Sequence, residues 1–291
     1  MNRRLSLLLS LAALLVLLAL GALWWREPPP VVNVAAPPPP AAPAAPARPA
    51  PDLPLPLPPE LPRLSDGPDY DNCLALLRDD PEEAMRFAQA WDATGGGDGA
   101  LHCAALAMIG LGQPDTAAER LERLGAGSRA GGLARAAVYG QASQAWMMAG
   151  DANRAFGAAT MALTLAPNDP DLLVDRAVIQ AALARYGDAL DDLDRALALE
   201  PDRVEALVFR AAALRHLDRA TEAVNMIQRA LNLAPDNAEA LLERGILRQL
   251  RGDAAGARQD WERVITVAPE SMAASLAAQN IALSEVGPAS R

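Results

Sequence analysis

The chain has no lysine: all 26 of its basic residues are arginine, set against 36 acidic ones for a formal net charge of -10. That balance, with no basic tract anywhere, argues against binding nucleic acid through its backbone, which needs a basic face to release counterions. Aromatic residues are scarce at 4%, although 51% of the chain is hydrophobic. Two cysteines, Cys73 and Cys103, are too few for a disulfide framework or a zinc ribbon and enough for a single bridge. No paired catalytic carboxylates, nucleophile elbow or glycine-rich phosphate loop is visible. Gly95-Gly-Gly97 lacks the lysine and the strand that a phosphate loop needs and reads as a flexible turn.

What is present is strongly zoned along 291 residues, a length that suits one or two domains. Leu5 to Trp25 is a run of 21 residues without a charge, dominated by leucine. At about 1.5 Å per residue it matches the roughly 30 Å hydrocarbon core of a bilayer. The run exceeds the apolar region of a cleaved signal peptide and ends in Leu23-Trp24-Trp25, so residues 1–27 read as an uncleaved anchor. Val34-Ala35-Ala36 is the rival cleavage signal, with Pro37 directly behind it. Arg3 and Arg4 precede the run and Arg26 is offset by Glu27, which places the N-terminus in the cytoplasm and the bulk of the chain outside it. From Pro28 to Arg63 there are 16 prolines in 36 residues. Neither a helix nor a ladder propagates through such a segment, so residues 28–68 read as an extended spacer of up to about 110 Å at 3.1 Å per residue. Asp52 to Glu60, rich in Leu-Pro, is alternatively a ligand for an aromatic groove on a partner.

The rest is organised by a period. Pro167, Pro201, Pro235 and Pro269 stand 34 apart, each behind a helical pattern. Ala155, Ala189, Ala223 and Ala257 recur 12 residues before the proline; Ala162, Ala196, Ala230 and Val264 recur five before it. Small side chains at fixed phase let two helices approach closely. Turn signals at Gly150-Asp151, Tyr186-Gly187-Asp188 and Gly252-Asp253 fall between the helices, where glycine accepts positive φ and aspartate caps the next helix.

At these residues the sequence resembles the tetratricopeptide repeat family, in particular its membrane-anchored bacterial members. That family carries a large residue at position 4 of each repeat, small ones at 8, 20 and 27, and proline at 32. Setting the prolines at 32 gives copies at 136–169, 170–203, 204–237 and 238–271, with Tyr139, Leu173, Leu207 and Leu241 at position 4 and Ser143, Ala177, Ala211 and Gly245 at position 8. The family's usual tryptophan at position 4 is missing. Ala84 and Ala117 fit position 20 of two degenerate copies within about 69–135, with four extra residues near Gly125 to Gly132. Met272 to Val286 would be a terminal cap. The expectation is an all-α helix-turn-helix solenoid of about six repeats over 69–286, with 287–291 a tail.

The resemblance also implies a concave surface lined by first-helix positions 2, 5, 9, 12 and 13. Here these give Met147, Met148, Val174, Val178, Ala181, Val208, Ala212, Arg215, His216, Leu242, Ile246 and Gln249. The lining is mostly apolar and suits an amphipathic helix or an extended apolar peptide of a partner protein. The terminal-carboxylate clamp of some family members needs lysine and asparagine that these positions lack. Arginines recur at position 7 as Arg176, Arg210 and Arg244 and at position 26 as Arg195, Arg229 and Arg263, next to acids; such regularity reads as solvated faces with weak ion pairs. Cys73 falls at about position 9 of the first degenerate copy and Cys103 at position 6 of the second, on neighbouring first helices. A disulfide there is geometrically reasonable, and closing a loop of about 30 residues would stabilise by roughly 3 to 4 kcal/mol. His102 beside Cys103 raises an enzyme reading, but adjacent helical residues point about 100° apart and a metal needs three or four convergent ligands.

The sequence therefore points to a non-catalytic scaffold or assembly factor, anchored in the inner membrane through residues 5–25 and exposed in the periplasm, with no cofactor, metal or nucleic acid. A periplasmic holdase for unfolded or apo clients is the alternative, and a Cys/His enzyme a further one.

Overall fold

A computed structural model describes residues 63–286. The expected anchor, all but the last six residues of the expected spacer, and the tail lie outside the described residues. Within them the chain is a succession of thirteen α-helices with no strand. Six hairpins follow one another: α1 (Pro68–Asp79) with α2 (Pro81–Ala93), α3 (Gly97–Gly110) with α4 (Pro114–Gly127), and α5 (Gly132–Met148) with α6 (Ala152–Leu165). Next come α7 (Pro170–Ala182) with α8 (Tyr186–Leu199), α9 (Val204–His216) with α10 (Ala220–Leu233), and α11 (Ala238–Leu250) with α12 (Ala254–Val267); α13 (Met272–Val286) closes the series. No helix among the described residues is long and apolar enough to cross a membrane.

Helix starts follow local chemistry. Proline opens α1, α2, α4 and α7, where its missing N–H and fixed φ cost nothing. The side chains of Asp80, Asp151, Asp169, Asn237 and Asp253 accept hydrogen bonds from backbone N–H groups of the first turns of α2, α6, α7, α11 and α12. The four extra residues do not form a loop. They lengthen α5 to 17 residues, against 13 in α7, α9 and α11.

The turn expected at Tyr186-Gly187-Asp188 is instead the first turn of α8. The reversal in that repeat occurs at Ala184, with φ 56, and in the next at Asp218, with φ 58, the places that Gly150 (φ 80) and Gly252 (φ 83) hold in the first and fourth regular copies. A left-handed conformation costs a residue with a Cβ roughly 1–2 kcal/mol. Aspartate tolerates this region better than other residues with a side chain, so repetition of the backbone has overridden local preference at Ala184.

Small residues at positions 20 and 27 are fully enclosed: Ala155, Ala189, Ala223, Ala257, Ala162, Ala196, Ala230 and Val264. Position 8 is small for the same reason. At Gly245 an added Cβ would stand 2.3 Å from Trp261 Nε1, so the fourth copy tolerates its tryptophan only because glycine faces it. Successive first helices α5, α7, α9, α11 and α13 touch in order, and α1 touches α3; no pair of second helices packs to a comparable extent among the described residues. The first helices thus form the inner, concave side of the stack.

The position-7 arginines are not solvated. Arg176 donates to both carboxylate oxygens of Asp192 at 2.7 Å, and Arg244 to both of Asp260 at 2.9 and 2.6 Å, and both acids are buried. Position 23 in the third copy is Met226, so Arg210 turns to Asp194 of the preceding hairpin at 2.6 Å. The position-26 arginines reach back a repeat: Arg195 to the Pro167 carbonyl at 2.6 Å, Arg229 to the Pro201 carbonyl and Asp202, and Arg263 to Asp236 at 2.6 Å.

Two outcomes follow for equilibrium denaturant unfolding. Ala184→Gly relieves the left-handed strain and should raise stability by about 1 kcal/mol, whereas Gly150→Ala should lower it by a similar amount. Arg176→Met leaves the buried Asp192 carboxylate with only Arg195 Nη1 at 3.4 Å and should cost about 2 kcal/mol, while Arg176→Met with Asp192→Leu should recover most of that loss.

Candidate functional site on the concave face

The first helices meet along a seam, and its N-terminal end is covalent. Cys73 on α1 and Cys103 on α3 form a disulfide with Cα atoms 6.2 Å apart, and both residues are fully buried. Beside it the Tyr70 hydroxyl donates to His102 Nδ1 and His102 Nε2–H donates to Gln141 Oε1, each at 2.6 Å. This chain of bonds joins α1, α3 and α5. Burial pushes the imidazole pKa below 6.5, and the Gln141 contact opposes that shift only in part. Cys103 is bonded and both ring nitrogens of His102 are engaged, so this pair presents neither a thiolate nor a free base. Among the described residues no group of three or more His, Cys, Asp or Glu side chains is placed to hold a metal.

The residues that the repeat frame assigns to the groove all lie on first helices, but they divide into three kinds. Val174 and Val208 are only 2% and 6% exposed and belong to the core, so they offer a partner almost nothing. Position 5 in these copies faces the neighbouring helix, which corrects their assignment as groove residues. Arg215 is also committed: its Nε donates to Glu243 Oε1 at 2.6 Å and its Nη2 to Oε2 at 3.3 Å, tying α9 to α11. Glu243 is buried, and desolvation raises its pKa above the ordinary 4.5 despite the arginine. His216 is exposed and stacks flat on Tyr186, with centroids 4.3 Å apart and an interplanar angle of 1°. Val178, Ala181, Ala212 and Met147 are half-buried, and Met148 is exposed.

Leu242, Ile246 and Gln249 sit at the C-terminal end, and there the surface opens. Ile246 and Gln249 line a cleft of about 220 Å³ together with Leu250, Trp261, Asn280, Leu283 and Ser284. Leu250 and Leu283 are 66% and 64% exposed. No charged side chain lines this cleft, and Gln249, Asn280 and Ser284 supply neutral donors and acceptors. The groove positions of the four regular copies end at Gln249 and Leu250, positions 12 and 13 of the fourth. Extending the 34-residue frame into α13 locates three more, because Asn280, Leu283 and Ser284 fall at positions 9, 12 and 13 of a copy starting at Met272, while Trp261 comes from the second helix α12.

A family model for the tetratricopeptide repeat matches residues 144–214, which run from α5 to α9. The solenoid is built of tetratricopeptide repeats. Among solved structures, a chain of the APC/C hetero-tetramer Cut9–Hcn1 superposes with a TM-score of 0.57 at 16% identity over 73% of this chain, which spans 42% of that one. PilW, a type IV pilus biogenesis factor, superposes with a TM-score of 0.58 at 15% identity, covering 70% of this chain and 94% of its own. PilF of Pseudomonas aeruginosa gives 0.56 at 17% identity, covering 70% and 92%. At these identities the likeness is one of fold. A comparison with curated proteins returns no match.

His102 provides a pH test of the tetratricopeptide seam. Its folded pKa is lowered, so the stability it contributes is fully present above its unfolded value near 6.5 and is lost as pH falls through the folded one. Unfolding measured at pH 7.5 and pH 5 should therefore show a loss on acidification that is smaller in His102→Gln. An equal loss in both proteins would mean that the ring is not held neutral.

Proposed function

We propose that the protein is a non-catalytic interaction scaffold or assembly factor that holds an apolar helix or extended peptide of a partner against the C-terminal end of its concave face. The tetratricopeptide solenoid is a protein-interaction fold, and one observation carries the choice of site. The cleft around Ile246, Leu250 and Leu283 is apolar, open and uncharged, whereas the middle of the same face is closed by the Arg215–Glu243 pair and by the packing of Val174 and Val208. Aliphatic side chains for contact, with neutral amides for a partner's backbone, suit a segment recognised by shape and hydrophobicity more than by charge.

The setting in this proposal comes from the sequence. Leu5–Trp25 anchors the protein in the inner membrane, the proline-rich stretch is the spacer, and the repeats work in the periplasm. A photo-crosslinker at Ile246 of the full chain, irradiated in intact cells, should yield one dominant adduct, and the same probe at buried Val208 should yield none. A smear of many clients at Ile246 would replace the scaffold with a holdase. Adducts at Val208 but not at Ile246 would move the site to the middle of the stack.

A further inference from the structure

One cleft occurs at the same place in two copies of the repeat, with opposite contents. In the fourth regular copy it has a volume of about 340 Å³ and is lined by Pro235 and Asp236 of the preceding turn, Leu241 and Arg244 of α11, and Asp260 and Arg263 of α12. Its arginines are met by its own acids: Arg244 and Arg248 donate to Asp260, and Arg263 to Asp236. In the second degenerate copy, counted from Asp98, the cleft lies between α3 and α4 and has a volume of about 400 Å³. Position 23, aspartate in Asp192 and Asp260, is here Arg120, and position 26 is again arginine, Arg123. The two stand three residues apart on α4 and so share a face. The preceding turn is Thr94-Gly95-Gly96-Gly97, with no proline or aspartate for Arg123 to reach back to. Glu119 lies 4.0 Å from Arg123 and is drawn at 3.2 Å to Arg154 of the next hairpin, and Arg120 has no ion pair among the described residues. Asp98, the one acid on the walls, belongs to the first turn of α3 and pairs with neither arginine. Position 4 differs as well: Tyr139, Leu173, Leu207 and Leu241 are at most 5% exposed, whereas Leu101 in this cleft is 45% exposed.

We propose that the cleft between α3 and α4 binds an acidic peptide segment of a partner protein, with an aspartate or glutamate carboxylate set between Arg120 and Arg123 and an aliphatic neighbour against Leu101. The occupant is read from the other copies, where the molecule fills the same place itself. Arg263 takes the Asp236 carboxylate, Arg229 takes Asp202 and the Pro201 carbonyl, and Arg195 takes the Pro167 carbonyl. A turn that presents a carbonyl or a carboxylate is thus what an arginine at position 26 receives in this fold. An incoming segment supplies from outside what Thr94 to Gly97 do not supply from within. Arginine suits that ligand because its planar fork takes a carboxylate through two parallel bonds. Charge favours the same occupant: the protein as a whole carries -10, so an anionic segment is repelled by most of the surface and attracted where two arginines face one acid. This site belongs to α3 and α4 and does not rest on the apolar cleft beside α13.

The probe is the peptide Leu-Ala-Pro-Asp-Asn-Ala, which copies residues 233–238 of this chain. It carries a fluorophore and is blocked at both ends, so that its only carboxylate is the aspartate. Fluorescence anisotropy is recorded as the full chain, purified in detergent, is added to about 1 mM. The peptide should bind saturably at one site per chain, and replacing its aspartate with asparagine should weaken binding about tenfold. Arg120→Gln with Arg123→Gln should weaken the aspartate peptide by the same factor and leave the asparagine peptide unchanged, because both changes remove the same contact. Neither arginine makes a close ion pair among the described residues, so this variant should keep its helicity. Leu101→Glu is the second variant: it sets a carboxylate of the chain's own beside the arginines and should also block the aspartate peptide. Absence of binding, equal affinity for the two peptides, indifference to both variants, or displacement of the peptide by inorganic phosphate at equal concentration would overturn the proposal. Cross-linking at Ile246 reads a different surface, so failure there and failure here are separable.

Discussion

The structure depends on the seam where each first helix meets the next. A helical hairpin cannot enclose its own apolar faces, so every repeat borrows its neighbour's surface, and the borrowing must be secured at each junction. One phase of the repeat does this at junction after junction, because position 6 of a first helix engages the helix before it. Cys103 is bonded to Cys73, Gln141 accepts from His102, Asp175 accepts from Gln144 Nε2 at 3.0 Å, and Glu243 holds Arg215. At the α7–α9 junction Phe209 takes the same phase and packs against the cluster that contains Val174 and Ala177, and at the α11–α13 junction buried Ala277 takes it. The backbone relation is constant while the chemistry changes from covalent to neutral polar, apolar and ionic.

The outer layer has its own bond between repeats. Arginine at position 26 of the second helix reaches back to the turn of the preceding copy, as Arg195 does to the Pro167 carbonyl and Arg263 does to Asp236. With the seam inside and these braces outside, each repeat is held at two radii, which sets the curvature of the stack and hence the shape of the concave face. The middle of that face is spent on holding itself together. Beside α13, by contrast, the same face leaves Leu250 and Leu283 exposed and Ile246 half-buried.

Much of this is legible from the spacing of a few residues. Prolines 34 apart and alanines at positions 20 and 27 announce helical hairpins, because only a repeated backbone needs small side chains at repeated places. Other features are hidden for physical reasons. Ala184 carries no mark of a left-handed turn, since the conformation is imposed by the copies on either side. Asp192 and Asp260 look like surface acids until the hairpin folds them under Arg176 and Arg244. Val174 and Val208 share a phase with the half-buried Leu242, and only the crossing of neighbouring helices decides that they are buried. The cleft is half visible, as Ile246 and Gln249, because Asn280, Leu283 and Ser284 lie on α13 beyond the four regular copies and Trp261 lies on a second helix.

The central claim is that stability is local to each junction of the seam. Amide hydrogen exchange of the full chain with Glu243→Ala tests it most directly, since that change cuts one junction and leaves the other seam contacts intact. Local junctions predict that protection falls in α9 to α13 and is unchanged in α1 to α4, behind the disulfide. A uniform loss of protection from α1 to α13 would contradict this and would mean that the repeats stand or fall as one cooperative unit.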